Sequence, residues 1–462
     1  MTPGPRTLVP LACSVLLLFV CGFGADSAAN KISADFIVTA APAYEPLAAL
    51  RSAERFPRGA QLLLVRDGIP ELLVAGFAST ADANVSFDAA RVLFAGKKNA
   101  NDPWQIWQLT FADRSLHQLT SSPYDAIRPL YLPGGRFVFA QHTPAGFQLI
   151  SAPLDPPADH TPLLPLTYAA ASAIPADVLA DGRVLFEAGF PLGSGVTPEL
   201  FLVYSDGSGV ESYRCDHGIA RWGGKQLASG DIVFSQGVYL ARFTSPLAHA
   251  ERIPAPHADY AGSIVETKES DWLLSAKAAS DKHYVLKLWK LGTANLQIVL
   301  SQPGADLVEP VLLAPRPTPK RHPSALHPWD YANLLALDAR ITRDAALQGV
   351  PTSVRVEMKD TTGHSIALGT SPVESDGSYF VKVPGDQPIR FSLLDAKGHL
   401  LRQEHGWFWA RAGEQRICVG CHAGPEHAPG NRVPAVLLRS TTPTDLTAPP
   451  TTAPQPTTAG GR

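Results

Sequence analysis

A short apolar phrase recurs at nearly even intervals through the first two thirds of the chain. Successive copies lie 45, 47, 48 and 41 residues apart, counted at Leu93 and its equivalents. A second apolar segment and a Gly- or Asp-containing turn follow most copies, and this period is typical of four-stranded β-propeller blades. The copies are ARVLFA (90–95), GRFVFA (135–140), GRVLFE (182–187), GDIVFS (230–235) and DWLLSA (271–276).

The repeats predict a mainly β chain that begins with a β-propeller over residues 30–315. Five blades are evident, and segments at 36–39, 61–65 and 311–314 would complete a sixth or seventh by pairing the start of the propeller with its end. Closure of this kind removes exposed sheet edges. The units resemble TolB-type propeller repeats, with LPGG (132–135) and LADG (179–182) in place of the usual Ser-Pro-Asp-Gly phrase.

The first 29 residues have the layout of a secretory signal peptide. Arg6 precedes an apolar run at 8–23, and small residues follow up to Ala29. The run is too short and interrupted for a membrane span, so we expect export, with cleavage between Ala25 and Ala29. A membrane association is expected only if the leader stays uncleaved or Cys21 is lipidated.

Net charge limits the expected partners, and composition divides the rest of the chain into a linker, a second domain and a tail. A formal charge of −3 gives no reason to expect nucleic acid or an anionic membrane as a partner. A Pro-rich, basic stretch at 316–329 reads as a linker, and alternating apolar residues in 330–435 predict a small β-sandwich-like domain. The Thr/Pro-rich tail, 436–462, lacks apolar periodicity and is expected to be disordered.

The sequence CVGCH at 418–422 is the motif that carries chemistry. Cys418 and Cys421 have the spacing that forms thioethers to two vinyl groups of haem, and His422 follows as the proximal iron ligand. Half of a zinc site and a redox dithiol are the alternatives, but a second cysteine pair is missing and the motif follows β structure. Removal of the leader leaves Cys215 as the other cysteine, so a disulfide framework does not explain the set.

A resemblance sharpens this interpretation. GTSPVESDGSYFVKVPGDQPIRFSLLDAKGHLL (369–401) and WFWARAGEQRICVGCHAGPE (407–426) are similar to the middle domain of hydrazine synthase alpha subunits. That module is often joined to an N-terminal propeller in exported bacterial cytochromes. The resemblance spans about 330–435 and implies one covalent haem c at Cys418, Cys421 and His422.

Further ligands are open at this point. His405 is a candidate for the distal face of the haem, whereas Met358 fits a core role and His427 an exposed loop. Cys215 and His217, in YRCDHG, form an additional metal-ligand candidate, although a buried cysteine beside a surface histidine is the favoured explanation. Trp407 and Trp409 fit either a haem wall or ordinary strand packing.

These features predict an exported c-type cytochrome-like protein with a single haem, active in periplasmic electron transfer with a redox partner protein. The propeller would serve as its docking module. The enzymatic alternative is a haem oxidoreductase acting on a small nitrogen compound at an open iron site. A third alternative treats the propeller as a non-catalytic binding or sensor module.

Overall fold

A computed structural model describes residues 32, 34–155, 163–192, 195–214, 218–342, 347–360, 362–404, 406–420 and 430–449. The described chain is mainly β, as predicted, with one 3-10 helix (Ala48–Arg51) and one short α-helix, α1 (Ala435–Arg439). No helix in these ranges is long and apolar enough to span a bilayer.

Six antiparallel sheets, which we call blades 1 to 6, follow one another along the first part of the described chain. Their strands are β1 (Phe36–Ala41), β2 (Gln61–Arg66) and β3 (Ile69–Leu72) in blade 1; β4 (Ser79–Val85), β5 (Arg91–Lys97), β6 (Gln105–Thr110) and β7 (Leu116–Gln118) in blade 2; β8 (Ala126–Leu132), β9 (Arg136–Thr143), β10 (Gly146–Pro153) and β11 (Leu164–Pro165) in blade 3; β12 (Ala173–Val178), β13 (Val184–Leu192), β14 (Gly195–Val203) and β15 (Glu211–Ser212) in blade 4; β16 (Trp222–Gln226), β17 (Ile232–Gln236), β18 (Tyr239–Phe243) and β19 (Glu251–Arg252) in blade 5; and β20 (Asp259–Tyr260), β21 (Val265–Glu266), β22 (Trp272–Lys277), β23 (Val285–Trp289) and β24 (Leu296–Leu300) in blade 6.

The recurring apolar phrase forms the same strand in every blade that carries it: β5, β9, β13, β17 or β22. Each of these strands lies between two neighbours of its own sheet. Phe94, Phe139, Phe186 and Phe234 on them are fully buried. The interpretation of the period as a blade is therefore confirmed, because a strand inside a stacked sheet buries both of its faces.

The propeller closes by pairing its two ends, as predicted. A late strand, β25 (Asp306–Leu312), pairs antiparallel with β1 and makes blade 1 four-stranded. Ile37 faces Val311, and the Leu313 N–H donates to the Asp35 carbonyl at 2.8 Å. Closure leaves six blades within the described residues, so the expected range of six or seven resolves to six there.

Buried charges meet where the inner strands of blades 1, 2 and 3 converge. Asp82, Arg128 and Glu309 each sit at a β-bulge with φ of 62°, 55° and 56°. Arg55 pairs with Asp82 and with Glu309, the latter at 2.7 Å, and Arg128 pairs with Glu309 at 2.7 Å. Tyr44 donates to the same Glu309 oxygen at 3.2 Å. This axial cluster joins three blades to the loop around the 3-10 helix.

Two further sheets, after the six blades, form the predicted sandwich. One has the order β32-β26-β29-β33 and the other β28-β27-β30-β31, and the apolar faces enclose a core that includes Val354, Val381 and Phe391. In this part of the described chain β32 and β33 are added parallel to β26 and β29. The strands are β26 (Tyr331–Ala336), β27 (Ser353–Lys359), β28 (Ser365–Pro372), β29 (Tyr379–Pro384), β30 (Ile389–Leu394), β31 (Leu400–Gln403), β32 (Gln415–Cys418) and β33 (Thr444–Asp445).

The tail departs from expectation at its start. Residues 436–449 are ordered against the sandwich, so the prediction of disorder from 436 is wrong for them. β33 pairs with the open edge of β29, and Leu446 is 4% exposed in the sandwich core. Strand pairing at a free edge and one buried apolar side chain are enough to order this segment. Neither feature produces a periodic pattern in the sequence. Residues 450–462, like the leader 1–29, lie outside the described residues.

The predicted linker, 316–329, lies along the propeller. The Arg316 N–H donates to the Phe87 carbonyl at 2.9 Å in blade 2, and the Lys320 N–H donates to the Ala180 carbonyl at 3.0 Å in blade 4. These backbone bonds attach the connection to the propeller surface.

We predict that Glu309→Gln lowers the free energy of unfolding by about 3–5 kcal/mol, because it removes the carboxylate that pairs with both buried guanidinium groups, Arg55 and Arg128. Glu251→Gln is the matched control: Glu251 pairs with Arg242 on an exposed strand, where loss is expected to stay below about 1 kcal/mol. Urea unfolding measures both. Equal effects would show that the axial cluster contributes no more than a surface pair.

Candidate functional site

Only one of the predicted site residues falls in the described part of the chain. Cys418 is the last residue of β32. Cys421, His422, His405, Cys215 and His217 lie outside the described residues, as does His427. The site is therefore built from Cys418, from Gly420 and from the segments that flank the rest.

Cys418 is held by parallel pairing of β32 with β26. Its carbonyl accepts a hydrogen bond from the Leu337 N–H at 2.9 Å, and its Cα pairs with Ala336. Alternation along β32 puts Arg416 and Cys418 on one face, both half-buried, while Ile417 on the other face is 66% exposed. The first cysteine of the motif thus ends an ordered strand.

Gly420 packs tightly beyond that strand. A Cβ at this position would lie 2.8 Å from the Ile341 carbonyl oxygen and 2.9 Å from the Asp338 carbonyl oxygen. Asp338 is itself fixed by Arg340, through contacts of 2.7 and 2.8 Å. The glycine between the two cysteines therefore lets the chain approach the turn after β26 at backbone contact distance.

The chain returns from the motif to the same place. Arg432 donates to the Leu337 carbonyl at 3.5 Å and also pairs with Asp376. Asp376 accepts the Ala435 N–H at 2.8 Å at the start of α1. Leu337 therefore binds both Cys418 and Arg432, and the described residues on either side of the motif are anchored at one point of the sandwich.

The electrostatics of the thiol follow from its surroundings. Burial raises the pKa of Cys418, the positive charge of Arg416 opposes this, and Glu404 and Glu414 add to the rise. Glu404 is thus close enough to act on Cys418, and His405 is the next residue in the chain. Cys418 has no disulfide partner among the described residues. The thiol is held protonated at neutral pH.

The same segment docks the sandwich onto the propeller. Trp409 is 4% exposed and packs in a core cluster made otherwise of propeller side chains, including Leu166 and Val203. This finding favours the packing interpretation of Trp409. Trp407 instead lies beneath the cations of Lys359 and Arg390, with each cation within 5.3 Å of its ring.

The residues that follow the buried tryptophan make polar contacts with the propeller. Arg411 donates to the Tyr168 hydroxyl at 2.6 Å and to the Asp206 carbonyl at 3.2 Å, and it pairs with Asp386. Glu414 accepts the Gly209 N–H at 3.1 Å. Arg416 then donates to the Val210 carbonyl. This bond attaches β32 to the propeller two residues before Cys418.

Two cavities lie near the propeller axis and share part of their lining. The larger, about 730 Å³, is lined by charged groups that include Arg128, Lys225 and Glu309. The smaller, about 280 Å³, is lined by Trp104 and His142 among others. Asp82 lines both, so the axial cluster lies between them. Within the described ranges no group of three His, Cys, Asp or Glu side chains is arranged to hold a metal.

Part of this chain matches a known protein family. Residues 337–423 match the family model described as the hydrazine synthase alpha subunit middle domain. The resemblance inferred from sequence is confirmed. The match to this middle domain begins at Leu337, which anchors Cys418, and includes the whole cysteine motif.

Solved structures match over a longer stretch than the middle domain. Kuenenia stuttgartiensis hydrazine synthase matches with a TM-score of 0.75 at 17% identity, over 88% of this chain and 71% of that one. TolB from Acinetobacter baumannii matches with a TM-score of 0.45 at 14% identity, over 63% of this chain and 68% of that one. The first match shows a shared fold that extends well beyond the middle domain. A search of curated proteins finds no significant match.

Sequence reasoning missed the residues that position the motif. Arg411, Glu414 and Arg416 stand just before the cysteines, but their partners are propeller residues distant in sequence, which the sequence does not reveal. Asp376 is bonded locally by Ser378, but its bonds to Arg432 and Ala435 depend on tertiary folding. Met358 packs at the edge of the sandwich core, as expected.

Gly420→Ala is expected to lower the free energy of unfolding by about 1–3 kcal/mol, since its methyl group would overlap two backbone carbonyls. Gly430→Ala is the control, because nearest to its Cβ there is only the Arg432 side chain, at 3.8 Å. Thermal unfolding compares the two variants. A Gly420→Ala protein as stable as Gly430→Ala would contradict the close packing.

Asp376→Asn is expected to destabilise the protein in a pH-dependent way. Burial would raise the pKa of Asp376, but hydrogen bonds from Ser378 and Ala435 and the charge of Arg432 hold it at about 2. The ionised carboxylate therefore contributes stability that is complete above the ordinary value of 3.8 and is lost as the pH falls towards 2.

Measured midpoints of unfolding should show this difference. The gap between wild type and Asp376→Asn should be constant near neutral pH and shrink between about pH 4 and pH 2. A gap that does not change with pH would assign the effect to hydrogen-bond geometry rather than to the charge of the carboxylate.

Proposed function

We propose that this protein carries one covalent haem c and serves in electron transfer outside the cytoplasm. Cys418 and Cys421 would form the thioethers, and His422 would be the proximal ligand of the iron. The observation that carries the proposal is the placement of Cys418 at the end of an anchored strand, with both sides of the motif fixed at Leu337. Haem, once bound, supplies a one-electron couple.

The surroundings of the motif fit such a group. The half-buried Cys418 thiol lies beside the cationic Arg416, whose guanidinium has one buried nitrogen without a partner among the described residues. An uncompensated buried cation suits a cofactor that carries carboxylates. Attachment of haem to cysteines takes place in exported compartments, which agrees with the leader expected at 1–29.

His405, Cys215 and His217 enter as supplementary ligands in this proposal. His405 follows Glu404, which acts electrostatically on Cys418, and is assigned to the distal face of the haem. Cys215 and His217 follow β15 of blade 4, close in sequence to Val210, which accepts the bond from Arg416. They are assigned as an extra metal-ligand pair on the propeller side.

The propeller acts as the docking module for a redox partner protein. Its support is the larger axial cavity of about 730 Å³, whose lining brings together side chains of several blades. Fixed attachment of the sandwich through Trp409 and Arg411 would keep the haem at a constant position relative to this surface.

A second candidate function is a haem oxidoreductase that acts on a small nitrogen compound. The observation in its favour is the match of 88% of the chain to hydrazine synthase. An open iron position would support this function, whereas occupation of both axial positions by side chains would support a carrier. A third candidate, a non-catalytic propeller sensor, would bind a ligand without turnover.

Expression with cytochrome c maturation machinery tests the haem proposal. We expect haem staining of the denatured band and an intact mass that includes one haem, both lost in the double variant Cys418→Ala, Cys421→Ala. Cys215→Ala is the control for covalent attachment alone: it removes a cysteine that forms neither proposed thioether, so the denatured band should still stain for haem. Unmodified wild-type protein from competent cells would overturn the proposal and leave a metal or thiol site.

Spectra of the loaded protein separate the candidate functions. A six-coordinate carrier should show no change on addition of carbon monoxide or nitric oxide, whereas an open iron should bind both. Turnover of hydroxylamine or another small nitrogen compound would favour the oxidoreductase, and binding without turnover would favour the sensor.

A further inference from the structure

Arg416 is the charged group of the site that the structure leaves uncompensated. It lies two residues before Cys418 on the same face of β32. The neighbouring arginines all have a carboxylate: Arg411 pairs with Asp386, and Arg432 pairs with Asp376. Among the described residues no carboxylate pairs with Arg416, and both oxygens of the adjacent Glu414 accept backbone N–H groups of Gly209 and Arg411.

The guanidinium of Arg416 is nonetheless fixed in place. Its Nη2 donates to the Val210 carbonyl of the propeller, which holds the planar group at the junction of the two domains. Its Nη1 is buried and has no hydrogen-bond partner among the described residues. A buried donor without an acceptor loses its hydration and gains no hydrogen bond in return, and the loss is larger when the group is charged. An acceptor supplied by a bound group would satisfy this nitrogen.

We propose that Arg416 binds a propionate carboxylate of the haem attached at Cys418. This inference rests on the proposed function. A guanidinium matches a carboxylate in geometry and charge, so the free nitrogen of Arg416 gains a charge-assisted hydrogen bond and the propionate is neutralised. Through its bond to Val210, Arg416 also links the cofactor to the propeller. It is a cofactor-positioning residue and not a catalytic one.

The reduction potential of the holoprotein is the main test, with Arg416→Gln, Arg416→Lys and the control Arg66→Gln. Arg66 lies on blade 1, opposite blade 4 in the ring of six, and forms an exposed pair with Asp35. Removing the positive charge of Arg416 favours ferric haem, which carries one more positive charge, so Arg416→Gln should lower the potential. Arg416→Lys should restore most of it, and Arg66→Gln should have no effect.

A resonance Raman spectrum gives a readout that a purely structural role would not change. The propionate bending mode should shift in Arg416→Gln and stay near its wild-type position in Arg66→Gln. An unchanged potential and an unchanged propionate mode in haem-loaded Arg416→Gln would overturn the inference. If Arg416→Gln fails to fold, Arg416→Lys decides, because a lysine keeps the charge but replaces the planar guanidinium with an ammonium: a propionate bending mode shifted from the wild-type position supports the contact, and an unshifted mode overturns it.

Failure of the two proposals is distinguishable. Wild-type protein that takes up no haem removes the proposed function itself, before any Arg416 variant is examined. If the wild type binds haem but Arg416→Gln changes neither the potential nor the propionate mode, only the assignment of Arg416 is wrong.

Discussion

The burial of Trp409 in the propeller fixes where Cys418, the first cysteine of the motif, lies. Its indole packs with side chains of blades 3 and 4, although the residue belongs to the segment that leads out of the sandwich. Arg411 and Glu414 then satisfy polar groups of the 206–209 turn, and Arg416 reaches Val210. Because these contacts fall within eight residues and end two residues before Cys418, any change in domain docking would move the motif as well.

The propeller that receives this segment contains three residues with an unfavourable backbone conformation at its axial cluster. Asp82, Arg128 and Glu309 adopt left-handed backbone conformations of the kind that a glycine, Gly223, adopts on the inner strand of blade 5. Side chains in this conformation are strained, by about 1–3 kcal/mol each, and persist when surrounding structure fixes them. Here the ion pairs with Arg55 do so, and the bulges in turn direct the charges towards the axis. Strain and charge pairing therefore depend on each other.

Periodicity made the blades predictable, because a buried strand must present apolar side chains whatever its neighbours are. The phrase around Phe94 and its equivalents carried that signal, and closure through β1 and β25 followed from the cost of open sheet edges. The parallel addition of β32 and β33 was not predictable. Both strands are two to four residues long and half-exposed, and their partners are distant in sequence. The motif could be read from spacing, but its docking through Trp409 could not.

Among the described residues, the sandwich core does not include Cys418, so the core packs independently of the first cysteine of the motif. Val354, Val381, Phe391 and their neighbours pack without Cys418, which lies at the end of an edge strand. Leu337 binds both sides of the motif through its backbone, so these anchors need no particular side chain at Cys418. The described core can therefore form without a group bound at Cys418, and the first cysteine of the motif is presented at the end of a formed sheet.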